Sequence, residues 1–523
     1  MPNARSNYGT SRLVSPWTGG FATRSRVPSM SLGAGSFGLP VLVPTWPIGQ
    51  NLLILGPPRA GKGASFFLPN LLRLPTLPDP RPSAVISDPK GELLALSRQR
   101  LETAGYIVKV VGFDRPELSD TWNPLSWLDP SDHTSNEPNY SAAQALAMAM
   151  VPTKSGEREP FWGSMARLIL SASAVLAYRL GSAQVGRPGN LADALALAYV
   201  AASDPARLAQ VADTADAWAA SQLRVVAEAV GGDKRLASNI AIDTAARLNT
   251  WTTPGMLQIL SDADWDWHSV LDEPTVVFVL GSGHHAAHQA VVWGSLIAAL
   301  HRSQRQAGRT PRPVWLELDE LANVGEIPGL LDALSTLTGA GVSTVLGLQA
   351  IRQINDVYGA DRASAIVDTA HCYLAFPGLG HDSAEWVSDR LGMTTVITHV
   401  RQTAASGQPT FSPQTFQRKV LLADEVTTLN RTRLIAQRSG RRASLIWQRP
   451  YFNNPRWRAE ALAGNPSHPE ISERLDAMRR SLPPAPSLEA LAERLLGRPF
   501  TPPGSGPMPA IDLEGLGELL RGR

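Results

Sequence analysis

Gly56-Pro57-Pro58-Arg59-Ala60-Gly61-Lys62-Gly63 has the spacing G-x-x-x-x-G-K. Glycines so placed let backbone N–H groups turn inward around phosphate oxygens, and the lysine can reach the β- and γ-phosphates. The expected nucleotide-binding segment is therefore Gly56 to Ala64, with Lys62 as its charge. Gly63 stands where a Ser or Thr usually supplies a magnesium ligand, and the nearest hydroxyl is Ser65. Asp319-Glu320 is the second group. Asp319 would hold Mg2+ through water, and Glu320 would polarise the water that attacks the γ-phosphate. Taken alone, Asp-Glu is also what a helix N-terminus favours. Beside a phosphate loop it predicts ATP hydrolysis. Gln349 is the third residue, placed either to contact the γ-phosphate or lytic water or to cap a strand.

These residues need a sheet to hold them. Asn51–Leu55 is a short apolar run ending at Gly56, the form of a buried parallel strand, and Ala64–Leu72 reads as the helix after the loop. Further runs recur at Ala84–Ser87, Tyr106–Val111, Thr275–Leu280, Val314–Leu318, Ser343–Leu348 and Cys372–Phe376, mostly with helical patterns between them. Val314–Leu318 delivers Asp319 and Glu320 at its C-terminal end, and Ser343–Leu348 delivers Gln349. Ligands of doubly wound sheets bind at such ends. The expectation is an α/β fold with a central, mostly parallel sheet.

Ala-rich segments between 140 and 262 contain no convincing strand and read as an all-α insertion. The organisation expected is a flexible arm over 1–40, the nucleotide-binding domain over 41–139 and 263–465, the insertion over 140–262, and a Pro/Gly-rich tail over 466–523. Within the tail, Ser487 followed by Leu488, Leu491, Leu495 and Leu496 has the pattern of a capped helix.

The 523 residues carry 48 basic and 46 acidic side chains, so any contact with nucleic acid has to be local. A single cysteine, Cys372, suits a reducing compartment and reads as an inert core thiol. No run of 18 apolar residues occurs, so the chain is not expected to span a membrane alone. His284, His285 and His288 read as loop histidines, because no carboxylate or cysteine nearby completes a zinc set. Arg431, Arg433, Arg438, Arg441, Arg442, Arg449, Arg456 and Arg458 lie among Trp447, Tyr451, Phe452 and Trp457 and read as a terminal hairpin with solvated arginines, a nucleic-acid surface being the alternative. Trp265 and Trp267 are expected to pack the insertion back on the core.

Several segments in order resemble one family. They are the phosphate loop GPPRAGKG, Ser87-Asp88-Pro89-Lys90-Gly91-Glu92-Leu93, Asn123-Pro124-Leu125, Pro160-Phe161-Trp162, LELDELANVGEIPGL and GLQAIRQINDVYG. From about Asn51 to Tyr451 the chain resembles the VirD4/TraG-type coupling proteins of type IV secretion, some of which also carry Gly after the lysine. The resemblance implies a RecA-like P-loop NTPase related to the FtsK/HerA translocases, with an inserted all-α domain that helps select substrate. It implies a homo-hexamer that hydrolyses ATP with Mg2+ and feeds single-stranded DNA with its relaxase, or effector proteins, to a secretion channel. It puts Lys62, Asp319, Glu320 and Gln349 at the nucleotide, and Asp88 and Lys90 in support of that site or of a pore. Arg352 and Arg390 are candidates for a finger reaching a neighbouring subunit. Family members usually begin with transmembrane helices, and this sequence has none before the phosphate loop. The expected location is therefore cytoplasmic, peripheral at the inner face of the membrane. Rival readings are a FtsK/HerA-like motor on duplex DNA and a non-hydrolysing docking adaptor.

Overall fold

The seven apolar runs become seven parallel strands in the computed structural model, which describes residues 11–128, 137–152, 160–181, 187–281, 283–403, 409–461, 468–480 and 484–497. The chain divides into two compact units, Met1–Asp120 with Trp265–Leu482, and Thr121–Asp264 with Pro483–Arg523.

The first unit is built on an 11-stranded sheet. In chain order its strands are β1 (Ser29–Ala34), β2 (Pro40–Pro44), β3 (Asn51–Leu55), β4 (Ser83–Ser87), β5 (Ile107–Gly112), β6 (Thr275–Leu280), β7 (Val314–Leu318), β8 (Val342–Leu348) and β9 (Cys372–Ala375). A separate ribbon pairs β10 (Met393–Thr403) with β11 (Pro409–Lys419), and β12 (Arg433–Arg438) and β13 (Ser444–Trp447) complete the sheet. The spatial order is β2-β1-β13-β12-β9-β3-β8-β7-β4-β6-β5. From β9 to β5 every neighbouring pair is parallel. From β9 to β2 every pair is antiparallel. Strands β3, β4, β6, β7 and β8 are buried along their whole length, which is why their residues read as unbroken apolar runs. Leu52, Ile54, Phe66, Ile86, Phe278 and Trp315 belong to one core cluster. Each such side chain contributes roughly 1.5–3 kcal/mol by leaving water.

The second unit consists of helices, among them Tyr140–Met150, Pro160–Leu180, Leu191–Ser203, Ala217–Val230 and Lys234–Leu248, and none of its described residues forms a strand. Their starts are set by side chains. Asn190 and Asp193 form a reciprocal capping box, and Asp204, Asp216 and Asp233 cap the helices that follow them. Phe161–Leu180 is long and apolar enough to cross a membrane, yet 67% of its most apolar window is buried inside the protein. It serves as the centre of the helical unit.

Three boundaries differ from expectation. The flexible arm expected over 1–40 includes β1 and the start of β2, because Ser29–Ala34 is buried throughout and Asn70 accepts from Ser31 N–H and donates to its carbonyl. The helical unit begins at Thr121 rather than 140, with Trp122, Leu125 and Leu128 buried. Within the expected tail, His468–Asp476 belongs to the first unit, while Leu488–Leu496 belongs to the second, where Arg494 pairs with Asp193 at 3.1 Å. Residues 1–10 of the arm and 498–523 of the tail lie outside the described residues. Trp265 and Trp267 are buried in the first unit edge to face, and Trp267 Nε1 donates to Ser295.

Candidate nucleotide-binding site

Strands β3, β8, β7 and β4 are consecutive neighbours and parallel, so their C-terminal ends share one edge of the sheet. Those ends lead into the phosphate loop, Gln349, Asp319-Glu320 and Asp88 respectively. Close packing of β8 on β7 depends on Gly347, where a Cβ would lie 2.0 Å from the Asp319 carbonyl oxygen. Together these ends line a cleft of about 1990 Å3 that also includes Lys90, Asn323, Asn430, Arg431, Gln448 and Phe452.

The loop turns as its sequence requires. Gly61 has φ +100°, and Arg59, with φ +62°, also adopts the left-handed conformation. Gly63–Phe67 opens the following helix as a π-type turn that runs into Leu68–Arg73. Lys62 is buried, donates to the Gly56 carbonyl at 2.7 Å, and lies 4.0 Å from Glu320 Oε2. Gln349 Nε2 donates to that same Oε2 at 2.5 Å. Lys62, Glu320 and Gln349 are thus in one contact network, and Asp319 lines the cleft with them.

Burial pushes both carboxyls upward. For Asp319 desolvation dominates and the Lys62 and Lys90 charges oppose it. For Glu320 desolvation is again the larger effect, opposed by Lys62 and by the hydrogen bond from Gln349. Asp319 Oδ1 and Glu320 Oε1 are buried and have no hydrogen-bond partner in the protein. Two hard carboxylate oxygens left in that condition beside a phosphate loop fit Mg2+, which takes oxygen ligands and retains water. Asp88 Oδ2 accepts from Leu94 N–H at 2.8 Å, and burial raises its carboxyl to about 7. Glu317, on the strand itself, is buried with both oxygens unpartnered and is pushed up to about 8.

Ser65 is turned elsewhere. Its hydroxyl donates to Gln448 Oε1 at 3.0 Å, and Gln448 Nε2 donates to the carbonyls of Ala60 and Arg431 at 3.3 and 2.7 Å. Gln448 therefore holds the phosphate loop to the end of β13. Nothing in local sequence links residue 448 to residues 60–65; only the antiparallel edge of the sheet does so. The arginine cluster forms the β12–β13 hairpin and the segment after it, with Arg433 over Trp447 and Arg449 over Trp457. Arg390 is committed to Tyr373, Trp386 and Asp368, whereas Arg352 is exposed and paired with Asp382 at 3.0 Å. His285 pairs with Asp114 and stacks on Phe113, in a loop after β6. Cys372 is buried and its thiol is pushed up to about 12.

A model of the family described as type IV secretory system conjugative DNA transfer matches residues 16–471. The conjugal transfer protein TraG of Escherichia coli is 25% identical over 419 residues, 72% of this chain and 61% of TraG. Protein VirD4 of Rhizobium radiobacter is 22% identical over 316 residues, 58% of this chain and 43% of VirD4. The chain thus spans less than two thirds of the length of either relative. The bacterial conjugative coupling protein TrwBdeltaN70 has a similar fold, with a TM-score of 0.60 and 18% identity over 86% of this chain and 96% of that one. TrwB has also been solved with ADPNP, and with ADP and Mg2+, and both structures match with a TM-score of 0.57. The fold is that of a RecA-like P-loop protein, α/β with a mostly parallel sheet.

Proposed function

Because the chain belongs to the type IV secretory system conjugative DNA transfer family, we propose that it is the coupling ATPase of a conjugative apparatus. In this reading it recruits single-stranded DNA or a nucleoprotein carrying a relaxase, or an effector protein, and drives it toward the secretion channel. It works as a homo-hexamer, peripheral at the inner face of the membrane. The observation that carries the reading is the convergence of Lys62, Glu320 and Gln349 on one cleft, with Glu320 Oε2 4.0 Å from Lys62 and 2.5 Å from Gln349.

The residues divide the work. Backbone N–H groups from Gly56 to Ala64 cradle the phosphates, and Lys62 neutralises the charge that builds on the γ-phosphate. Asp319, with its free Oδ1, would hold Mg2+, which when bound offsets phosphate charge. Glu320 accepts the proton of the attacking water. Its burial raises its basicity, while the Lys62 charge and the Gln349 hydrogen bond oppose that rise and Gln349 orients the carboxyl. Arg352, exposed after the end of β8 where Arg390 is engaged with Tyr373, Trp386 and Asp368, would be the finger that acts on a neighbouring subunit's nucleotide. TrwB structures with ADPNP and with ADP and Mg2+ support the ligand class.

The test is steady-state ATP hydrolysis by the full chain and by Lys62→Ala, each without DNA, with single strands and with duplex. Turnover that needs Lys62 and rises with single strands supports the conjugative motor. Selective stimulation by duplex, or binding without turnover under every condition, overturns it.

A further inference from the structure

Charge is segregated along this chain in a way its net value of +2 conceals. Residues 1–78 carry seven basic side chains and no acidic one, and residues 426–459 carry eight arginines and no acidic one. The remaining 33 basic residues face all 46 acidic ones elsewhere. Parts of the two segments meet at the antiparallel edge of the sheet, β1 and β2 from the first and β12 and β13 from the second, while Arg59 and Lys62 of the first and Arg431 of the second line the cleft instead.

At that edge lies an apolar tip. The turn between β1 and β2 presents Phe37, 99% exposed, and Leu39, 45% exposed. Phe37 has φ +61° and ψ +22°, a left-handed conformation that a side chain with a Cβ adopts at a cost, and its ring makes no packing that offsets it. Gly35 in the same turn lies against the ring of Trp17, itself 40% exposed. The Trp17–Gly20 turn in turn rests on the arginines: Arg438 donates to the Gly20 carbonyl at 2.6 Å, and the Arg441 side chain covers Gly20. Arg441 and Arg442 are exposed in the β12–β13 connection. That connection stands at the end of the sheet away from the cleft, since Arg438 pairs with Cys372 at the start of β9.

We infer that Trp17, Phe37 and Leu39, with Arg438, Arg441 and Arg442 beside them, form a face that docks on an anionic lipid bilayer. Aromatic and aliphatic side chains at a tip enter the headgroup boundary, while neighbouring arginines meet anionic headgroups. Nucleic acid suits the tip less well. From Val27 to Pro58 there is no charged side chain, so phosphates would meet nothing on the hairpin itself. Lipid satisfies both halves of the face at once. The inference rests on the membrane placement proposed above and names a surface through which this part of the chain meets the lipid.

The experiment is flotation of the full chain with vesicles of phosphatidylcholine alone or with about one quarter phosphatidylglycerol. Recruitment to the anionic vesicles is expected, reduced about tenfold or more in Phe37→Ser/Leu39→Ser. Arg441→Gln/Arg442→Gln should lose the preference for anionic lipid and bring binding to the level seen with phosphatidylcholine. Nucleotide binding unchanged in both variants shows that each is folded. The inference is overturned if neither vesicle recruits the wild-type chain, if the variants float as well as wild type, or if the arginine pair proves necessary for DNA binding and dispensable for vesicles. A chain that fails to float yet fractionates with membranes containing the secretion apparatus would sink the lipid-docking face while leaving the membrane placement intact.

Discussion

Gln349 Nε2 donates to Glu320 Oε2 at 2.5 Å and thereby joins the ends of two neighbouring parallel strands, β8 and β7. One carboxylate oxygen is thus oriented, while Oε1 is left unpartnered for a water. Glu320→Gln should keep the fold and nucleotide binding while lowering turnover by about 10²–10⁴. Gln349→Ala keeps the base but frees its orientation, so turnover should fall about tenfold at unchanged nucleotide affinity. Hydrolysis rates measured beside binding of a fluorescent nucleotide separate the two effects. A Gln349→Ala protein that lost affinity at full turnover would show that this amide holds the phosphate instead of the base.

Gln448 suggests a second experiment. Its amide touches Ala60, Ser65 and Arg431, so the phosphate loop is fastened to a strand five positions away in the sheet order from the one carrying Asp319. Gln448→Ala removes these contacts without entering the phosphate cradle. Nucleotide affinity should fall about tenfold, in line with the roughly 0.5–1.5 kcal/mol that a hydrogen bond contributes. Gln448→Glu should restore the bond to Ser65 while placing a negative charge beside the phosphates, and should bind more weakly still. Equal affinity in all three proteins would show that the loop holds its shape unaided.

The parallel half of the sheet was legible because strands buried on both faces read as apolar runs, as Asn51–Leu55 and Thr275–Leu280 do. That Lys62, Asp319, Glu320 and Gln349 line one cleft was legible because each directly follows such a run or its loop. The antiparallel half was not. SMSLGA in β1 contains two serines and a glycine, and becomes a strand only because Asn70 and β2 satisfy its backbone. Gln448 escaped for the same reason, being near the loop only after β12 and β13 fold onto β9. Leu488–Leu496 was visible as a helix, but no pattern in it says which unit it joins; Arg494 meeting Asp193 does.

Gly63 is a departure that packing does not demand. A Cβ built there would meet nothing within 4 Å, and its φ lies outside the left-handed region. Gly63→Ser should therefore fold normally and stabilise the helix start by up to about 1 kcal/mol through lost glycine entropy. It would also return a hydroxyl to the position from which magnesium is usually held, Ser65 being engaged with Gln448. Half-saturation of turnover should then shift to lower Mg2+, with little change in the rate at saturating metal. An unchanged Mg2+ dependence would mean that Asp319 and water already complete the coordination.

Asp88 gives a pH signature that can be measured without any ligand. Its carboxyl is buried and raised to about 7, against about 3.9 in an unfolded chain. With the folded value the higher one, the folded state holds its proton more tightly, and the stability this confers is complete below about pH 4 and lost as pH rises through about 7. Asn at this position is neutral throughout and its oxygen can still accept from Leu94 N–H. Asp88→Asn should thus match wild type near pH 4 and become progressively more stable than it toward pH 8. Across that interval the gap should grow to a few kcal/mol at most, since a tenfold change in proton affinity is worth about 1.4 kcal/mol. Urea unfolding of both proteins at pH 5, 6, 7 and 8 reads this directly. A gap that stayed constant with pH would mean that Asp88 is ionised at neutral pH despite its burial, held so by the backbone N–H groups of Leu93 and Leu94.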